Sequence, residues 1–149
     1  MKHTFLISIV LFGFYASSAQ TAEYYLKKGI EKRDLENHQG AIEDFSKAIE
    51  LNSNYQEAYS NRAFSRWELL DYQGAIIDYN KSIELNPNDY YSYYYRGYIK
   101  DEVKDFQGAI EDYSIAIKLN RKYSEAYNNR GFVKNDELKK HKSAIKDFR

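Results

Sequence analysis

Two series of charged side chains recur along the chain at a shared interval, and they are the first candidates for chemistry. Successive members lie 34 residues apart, except that the last acidic residue comes one position later. Arginine and carboxylate groups form charge-assisted hydrogen bonds with each other, whereas a free row of arginines binds anions. The shared interval favours a ladder of Arg–Asp contacts between neighbouring helices, with an anion-binding row as the alternative. The basic series is Lys28, Arg62, Arg96 and Arg130, and the acidic series is Asp44, Asp78, Asp112 and Asp147.

The residue types that most often catalyse reactions or bind metals are scarce. The chain has no cysteine, which excludes disulfides and thiolate metal sites. His3 lies in an N-terminal segment described below, and His38 and His141 occupy predicted turns at positions that are aromatic in other repeats. No His-Glu-x-x-His, Gly-x-Ser-x-Gly or glycine-rich phosphate-binding motif occurs. We therefore expect a protein that is not an enzyme and that has no cofactor or metal.

The charged series belong to a longer repeated segment. The sequence GAIEDFSKAIELN at residues 40–52 returns, with changes, at 74–86 and 108–120, and a shortened copy occupies 143–148. A fixed period of this length is typical of stacked structural repeats. Ala41, Phe45, Ala48 and Ile49 form one apolar stripe at helical spacing. A second helical segment precedes each copy, at residues 22–36, 56–70, 90–104 and 124–139. The pattern predicts helical hairpins stacked side by side.

In the second repeat, the regularly spaced aromatic, basic, small and turn positions hold Tyr59, Arg62, Ala63, Ala75, Tyr79, Ser82 and Pro87. This pattern resembles the tetratricopeptide repeat (TPR), a helix-turn-helix unit of the same length. The resemblance implies an all-α fold, an α-solenoid of stacked antiparallel hairpins with about 3.5 to 4 repeats. The repeats would occupy residues 22–55, 56–89, 90–123 and 124–149. Two departures are the basic residues where the family has leucine before the small residue, and the closing proline, which survives only as Pro87.

The fourth repeat differs from the others. The step from the small residue of the first helix to the alanine of the second is 12 in three copies, but 13 from Gly131 to Ala144. This indicates a one-residue insertion near the turn expected at 139–141, and the sequence ends at Arg149, inside the expected second helix. A stack that ends without a polar capping helix leaves an apolar face uncovered. A structural or assembly role, through self-association or docking of this end, is therefore one alternative function.

The first 19 residues have the pattern of a secretory signal peptide. Lys2 is followed by an apolar run at residues 5–15 and by small residues up to Ala19. The run is too short for a membrane span, so we expect cleavage after Ala19 and no stable membrane span afterwards. The sequence thus predicts an exported protein, periplasmic or secreted.

The net charge of the chain gives no reason to expect a nucleic-acid partner. The 22 basic residues balance the 22 acidic ones, so there is no excess of positive charge to attract nucleic acid.

The resemblance also implies a binding surface, since the first helices of such stacks line a concave groove. Tyr93 and Tyr95 are expected to pack between repeats, whereas Tyr91 and Tyr94 are expected to be exposed in the groove. The predicted groove residues are Leu26, Ile30, Arg33, Glu57, Ser60, Phe64, Trp67, Glu68, Tyr91, Tyr94, Tyr98, Asp101, Asn128 and Phe132.

The predicted groove is aromatic in the middle and acidic at its edges. Family members that hold a C-terminal carboxylate use lysine, arginine and asparagine, but the matching places here include Leu26, Ile30 and Tyr94. We expect a peptide or protein partner with basic residues beside apolar or proline-rich ones. A glycan that stacks on the aromatic rings is the remaining alternative.

Overall fold

The computed structural model describes the backbone of residues 21–147 and the side chains of residues 21–136. The predicted signal peptide, residues 1–19, lies outside the described residues, and so does Phe148. Over the described backbone the chain forms helices and no strands. No described helix is both long and apolar enough to cross a lipid bilayer. The helices are α1 (Ala22–Asp34), α2 (His38–Leu51), α3 (Gln56–Glu68), α4 (Tyr72–Leu85), α5 (Tyr90–Glu102), α6 (Phe106–Leu119) and α7 (Ser124–Asp147).

Each of the three hairpins turns through a left-handed residue followed by a capping side chain. In the second hairpin Leu70 has φ 63°, and Asp71 Oδ1 then accepts a hydrogen bond from the backbone N–H of Gly74 at 2.9 Å. A side chain at position 74 would collide with the Asp71 carboxylate, which explains the recurring glycine. The Gln-Gly pairs therefore lie in the first turn of the second helix. The same arrangement occurs at Glu36, Asn37 and Gly40 and at Lys104, Asp105 and Gly108.

Within a hairpin, a small residue of the first helix faces a buried aromatic ring of the second. A Cβ added to Gly29 would lie 2.5 Å from Cε1 of Phe45, and one added to Gly97 would lie 3.2 Å from Cδ1 of Tyr113. The two helices can approach this closely only because these positions lack a large side chain. This close approach gives each hairpin its own core, centred on Phe45, Tyr79 or Tyr113.

The fourth repeat is not a hairpin. Helix α7 runs without interruption for 24 residues, so the turn predicted at 139–141 is wrong. The physical reason lies in the missing turn signals: where the other hairpins have an Asn or Asp cap and then glycine, this segment has Lys140 and Ser143. Without a cap or a left-handed residue, a lysine-rich segment continues as helix. The stack therefore contains about three and a half repeats, which is the lower end of the predicted range.

The predicted Arg–Asp ladder is confirmed in the second and third hairpins. Arg62 donates from Nε to Asp78 Oδ2 and from Nη2 to Oδ1, both at 2.8 Å. Arg66, one turn further along α3, adds a contact from Nη1 to Oδ2 at 2.9 Å, a second cation that the sequence reasoning missed. The Asp78 side chain is only 2% exposed. Arg96 and Lys100 hold Asp112 in the same way, and Lys28 and Lys32 hold Asp44.

The arginines also join successive hairpins. Nη1 of Arg62 donates to Ser46 Oγ of the preceding hairpin at 3.0 Å, and Nη1 of Arg96 donates to Asn80 Oδ1 at 2.7 Å. Arg130 repeats the contact with Ser114 at 3.0 Å. Its predicted partner Asp147, however, lies 17 residues further along the same continuous helix, about 25 Å away. The fourth ladder contact is therefore wrong. The engaged guanidiniums argue against an anion-binding row.

We expect Asp78→Ala to lower the free energy of unfolding by about 3–5 kcal/mol, because it leaves two guanidinium groups without their buried carboxylate. Urea unfolding followed by circular dichroism measures this loss. The matched control is Glu84→Ala on the same helix, where the carboxylate is 68% exposed and pairs with Lys81, so a loss below about 1 kcal/mol is expected. Equal losses in both variants would contradict a structural role for the ladder.

Candidate functional site

The first helices of the hairpins lie side by side and form one continuous surface. Helix α3 contacts α1 on one side and α5 on the other, and α5 contacts α7. We call this surface the groove. Two cavities open on it. The central cavity, of about 610 Å³, is lined by Arg33, Asp34, Gln56, Glu57, Ser60, Asn61, Phe64, Tyr79, Asn86, Asp89, Tyr91 and Tyr95. A smaller one, of about 230 Å³, is lined by Trp67, Glu68, Leu70, Tyr72, Tyr98 and Glu102.

A chain of aromatic contacts connects the two cavities. Trp67 lies 5.3 Å from Phe64 and 5.4 Å from Tyr98, measured between ring centroids, in edge-to-face geometry. Tyr95 occupies the centre of the chain, 5.6 Å from Phe64 and 6.5 Å from Tyr91. Its ring is also stacked on the buried Tyr79 at 6.2 Å. Edge-to-face and offset contacts hold the rings in fixed orientations, so their free faces are preorganised for a ligand.

Tyr95 packs between repeats as predicted, against the cores of the second and third hairpins, but it is also a groove residue, which the sequence did not predict. It is half-buried and lines the central cavity. A signal was available, because the equivalent positions of the other repeats hold Lys27, Asn61 and Asn129. An aromatic ring at a position that is otherwise polar indicates a departure from the common packing. Tyr93 also packs against the third hairpin core, as expected.

Tyr94 and Leu26 were expected in the groove, and the structure buries both. Tyr94 is 9% exposed and packs between Tyr113 and Tyr123, and its hydroxyl accepts a hydrogen bond from Asn129 Nδ2 at 3.1 Å. Leu26 is 5% exposed, in the core of the first hairpin. Tyr94 is covered by Tyr123, and Leu26 shares its core with Ala58 of the next hairpin, so the expectation of exposure was wrong.

The other predicted residues divide between the cavities and the surroundings. Ile30 packs against the first hairpin core. Asp101 is half-buried, and burial raises its pKa above the ordinary value, with Glu102 and Asp136 adding to the rise and Lys104 opposing it. Asn128 and Phe132 are exposed on α7 and line neither cavity. Those in the central cavity are Arg33, Glu57, Ser60, Phe64 and Tyr91, and those in the smaller one are Trp67, Glu68 and Tyr98.

The one basic side chain that lines the central cavity is already engaged. Arg33 donates from Nε and Nη2 to Asp34 Oδ1, at 3.1 and 2.8 Å, and from Nη1 to Asn61 Oδ1. Its guanidinium also lies 6.0 Å from the centroid of Phe64. Besides Asp34, the carboxylates of Glu57 and Asp89 line the cavity. The groove therefore has an excess of negative charge.

Nothing in the groove has the geometry of a metal centre. Across the described side chains, no three acidic or histidine groups converge as ligands for an ion. Burial raises the pKa of Tyr95, an effect that Glu68 reinforces and Arg33 opposes, so its hydroxyl is a neutral hydrogen-bonding group at physiological pH. The site thus offers aromatic faces, hydroxyls and carboxylates.

These features define a helical-repeat protein with an aromatic and acidic groove on its first helices. Three family models for the tetratricopeptide repeat match residues 22–55, 56–89 and 78–111. The chain belongs to the tetratricopeptide repeat family. That family is one of non-enzymatic modules that typically mediate protein–protein interaction.

Solved structures of the same fold include two with bound partners. The first TPR of Spaghetti (RPAP3), bound to the HSP90 peptide SRMEEVD, has a TM-score of 0.78 and 22% identity, covering 80% of this chain and 95% of its own. The TPR2B domain of yeast Sti1, in a complex with pHsp70, has a TM-score of 0.73 and 23% identity, covering 77% and 97%. MamA has a TM-score of 0.76 and 27% identity, covering 78% and 68%.

Among curated proteins, an uncharacterized protein of Methanocaldococcus jannaschii is 50% identical over 40 residues. The match covers 27% of this chain and 46% of that protein, so it spans less than half of the relative.

The contrasting burial of two neighbouring tyrosines predicts different effects of their removal. Tyr94→Ala should lower the free energy of unfolding by about 3–5 kcal/mol, because it empties a packed site between the third hairpin and the segment that leads into α7. Tyr91→Ala, where the side chain is 50% exposed, should cost about 1 kcal/mol or less. Urea unfolding of both variants checks this. A Tyr91 variant as unstable as the Tyr94 variant would show that the burial difference has no energetic consequence.

Proposed function

We propose that the protein is an interaction module that binds a peptide or protein segment along the groove and catalyses no reaction of its own. The observation that carries this proposal is the aromatic chain from Tyr91 through Tyr95, Phe64 and Trp67 to Tyr98, which connects two open cavities. Partly exposed rings in a continuous row tend to mark binding surfaces, and tyrosine and tryptophan are common anchors of binding energy. A chain extended along the stack would contact both cavities.

The charge of the groove selects the kind of partner. Asp34, Glu57 and Asp89 line the central cavity, and Glu68 and Glu102 line the smaller one. The HSP90 peptide bound by the Spaghetti domain, SRMEEVD, contains three acidic residues and one basic residue, the opposite balance to what this groove favours. We therefore propose a partner segment with basic residues beside apolar or proline-rich ones. Aromatic faces attract both cationic groups and proline rings.

A second candidate function rests on α7. Phe132 is 70% exposed, and an added Cβ at Gly131 would meet no described atom within 4 Å. The equivalent glycines, Gly29 and Gly97, are covered by the second helix of their hairpin. This uncovered face favours self-association or docking on a larger partner. Sedimentation at several concentrations tests it, and a strict monomer argues against self-association.

We further propose that the protein is exported, through the predicted signal peptide at residues 1–19. Expression with the complete N-terminus should yield a periplasmic or secreted chain that begins at Gln20, as measured by intact mass. Replacing Leu11 by arginine should interrupt the apolar run and leave the unprocessed chain inside the cell. Retention of the complete chain in the cytoplasm of unmodified cells would contradict export.

Binding to the groove can be followed through Trp67, the only tryptophan of the chain. We expect its fluorescence to change on titration with peptides rich in arginine, proline and leucine, and not with versions in which glutamate replaces arginine. Phe64→Ala should weaken binding by about tenfold or more, because it removes an aromatic wall of the central cavity while keeping the Trp67 signal.

The matched control is Tyr24→Ala, since Tyr24 is a 46% exposed aromatic residue that lines neither groove cavity. Its affinity should equal that of the unmodified protein. Tighter binding of the glutamate-containing peptides would contradict the charge argument, and equal loss in both variants would contradict the groove as the site.

A further inference from the structure

The central cavity lies at the one junction of hairpins where the repeat pattern is polar. At the junction of the first and second hairpins, Ala48 and Ala58 are fully buried and Tyr55 packs against them. At the junction of α6 with α7, Ala116, Ala126 and Tyr123 have these places. Between the second and third hairpins, the same three places hold Ser82, Ser92 and Asp89.

One hydrogen-bonded network joins these three polar residues to Gln56. The hydroxyls of Ser82 and Ser92, both fully buried, lie 2.8 Å apart. Ser92 donates to Asp89 Oδ2 at 2.6 Å, while Gln56 Nε2 donates to the same oxygen at 2.8 Å and lies 2.7 Å from Ser82 Oγ. Several polar groups can be buried together without a large cost in stability only when they form hydrogen bonds with one another. The network therefore fixes the position of the Asp89 carboxylate.

The change from tyrosine to aspartate also accounts for the open volume. Tyr123 fills its junction by packing on Tyr90, Tyr91 and Tyr94, with ring centroids 4.8 to 5.7 Å apart. Asp89 is much shorter, and the space next to it is part of the cavity of about 610 Å³. This is within the size range of ligand pockets, roughly 300–1,000 Å³. The cavity is thus a consequence of this particular departure from the repeat.

We propose that the central cavity is a specificity pocket for one arginine side chain of the partner segment, an inference that rests on the proposed binding of a segment along the groove. Three carboxylates, those of Asp34, Glu57 and Asp89, line the pocket, and its one guanidinium, from Arg33, is held by Asp34 and Asn61. A second cation brought by the partner offsets part of the remaining negative charge.

The chemistry of the walls favours arginine over lysine. Oδ1 of Asp89 accepts one hydrogen bond, from the backbone N–H of Tyr91 at 3.2 Å, and a carboxylate oxygen has room for a second. A planar guanidinium presents pairs of N–H donors that match the geometry of a carboxylate, and an ammonium group does not. The rings of Tyr91 and Tyr95 are nearly parallel, with 14° between their planes, and offer faces on which a guanidinium stacks.

The test uses the arginine-rich peptide of the fluorescence titration and replaces each arginine in turn by lysine or glutamine. In the unmodified protein, one position should show an affinity loss of about tenfold or more with glutamine, and a smaller loss with lysine. Asp89→Asn should abolish most of the difference between arginine and glutamine at that position, because it removes the charge but keeps the shape of the network. The matched control, Glu43→Gln on the outer surface of α2, should leave the difference unchanged.

A second variant fills the pocket. The triple change Ser82→Ala, Ser92→Ala and Asp89→Tyr installs the residues that already pack at two other junctions, and unfolding by urea verifies that it is folded. We expect it to bind the peptide more weakly and without preference for arginine at any position. If Asp89→Asn and the filled variant both keep the full arginine preference, the pocket proposal is overturned while groove binding stands. If no peptide binds the unmodified protein, groove binding itself fails.

Discussion

The structure depends on a buried carboxylate in the second helix of each hairpin, held by two cations of the first helix. In the second hairpin, Arg62 and Arg66 both bind Asp78, which has almost no access to solvent. Such an arrangement fixes the relative position of the helices more than it adds net stability, because desolvation offsets much of the attraction. Since Arg62 also binds Ser46 of the preceding hairpin, the same group fixes how successive hairpins stack. The orientation of the groove follows from these contacts.

Most of the fold could be predicted from the sequence because its signals are local and repeated. The small residues of the first helices, the aromatic residues of the second helices and the paired basic and acidic residues recur with one period through the three hairpins. The fourth hairpin could not be predicted from the period alone. This hairpin does not form because the segment has no capping side chain. Lys140 occupies the position at which Asn37, Asp71 and Asp105 accept a hydrogen bond from a glycine N–H in the other hairpins. A period indicates where a turn would fall, but a capping side chain decides whether it forms.

The site was less predictable because burial within it depends on contacts between hairpins. Tyr94 and Tyr95 are adjacent in sequence and equal in chemistry, yet one lies in the core and the other lines the cavity. On a helix, adjacent residues differ by about 100° in direction, so a small error in the assumed orientation exchanges inside for outside. The comparison between repeats was more informative than the family pattern, since it shows that Tyr95 replaces polar residues and Asp89 replaces tyrosine.

Regularity and specificity are therefore carried by different residues of the same repeat. Positions that every hairpin needs, such as Asp78, have the same residue type throughout the three hairpins. Where Ser82, Ser92 and Asp89 depart from the pattern, the junction loses apolar packing and requires a hydrogen-bonded network in its place. A departure that exchanges ordinary packing for a polar network and an open cavity has no advantage for stability alone. The departure has a purpose if a group from another molecule binds in the cavity. The carboxylates and aromatic walls of the cavity suit a cation best.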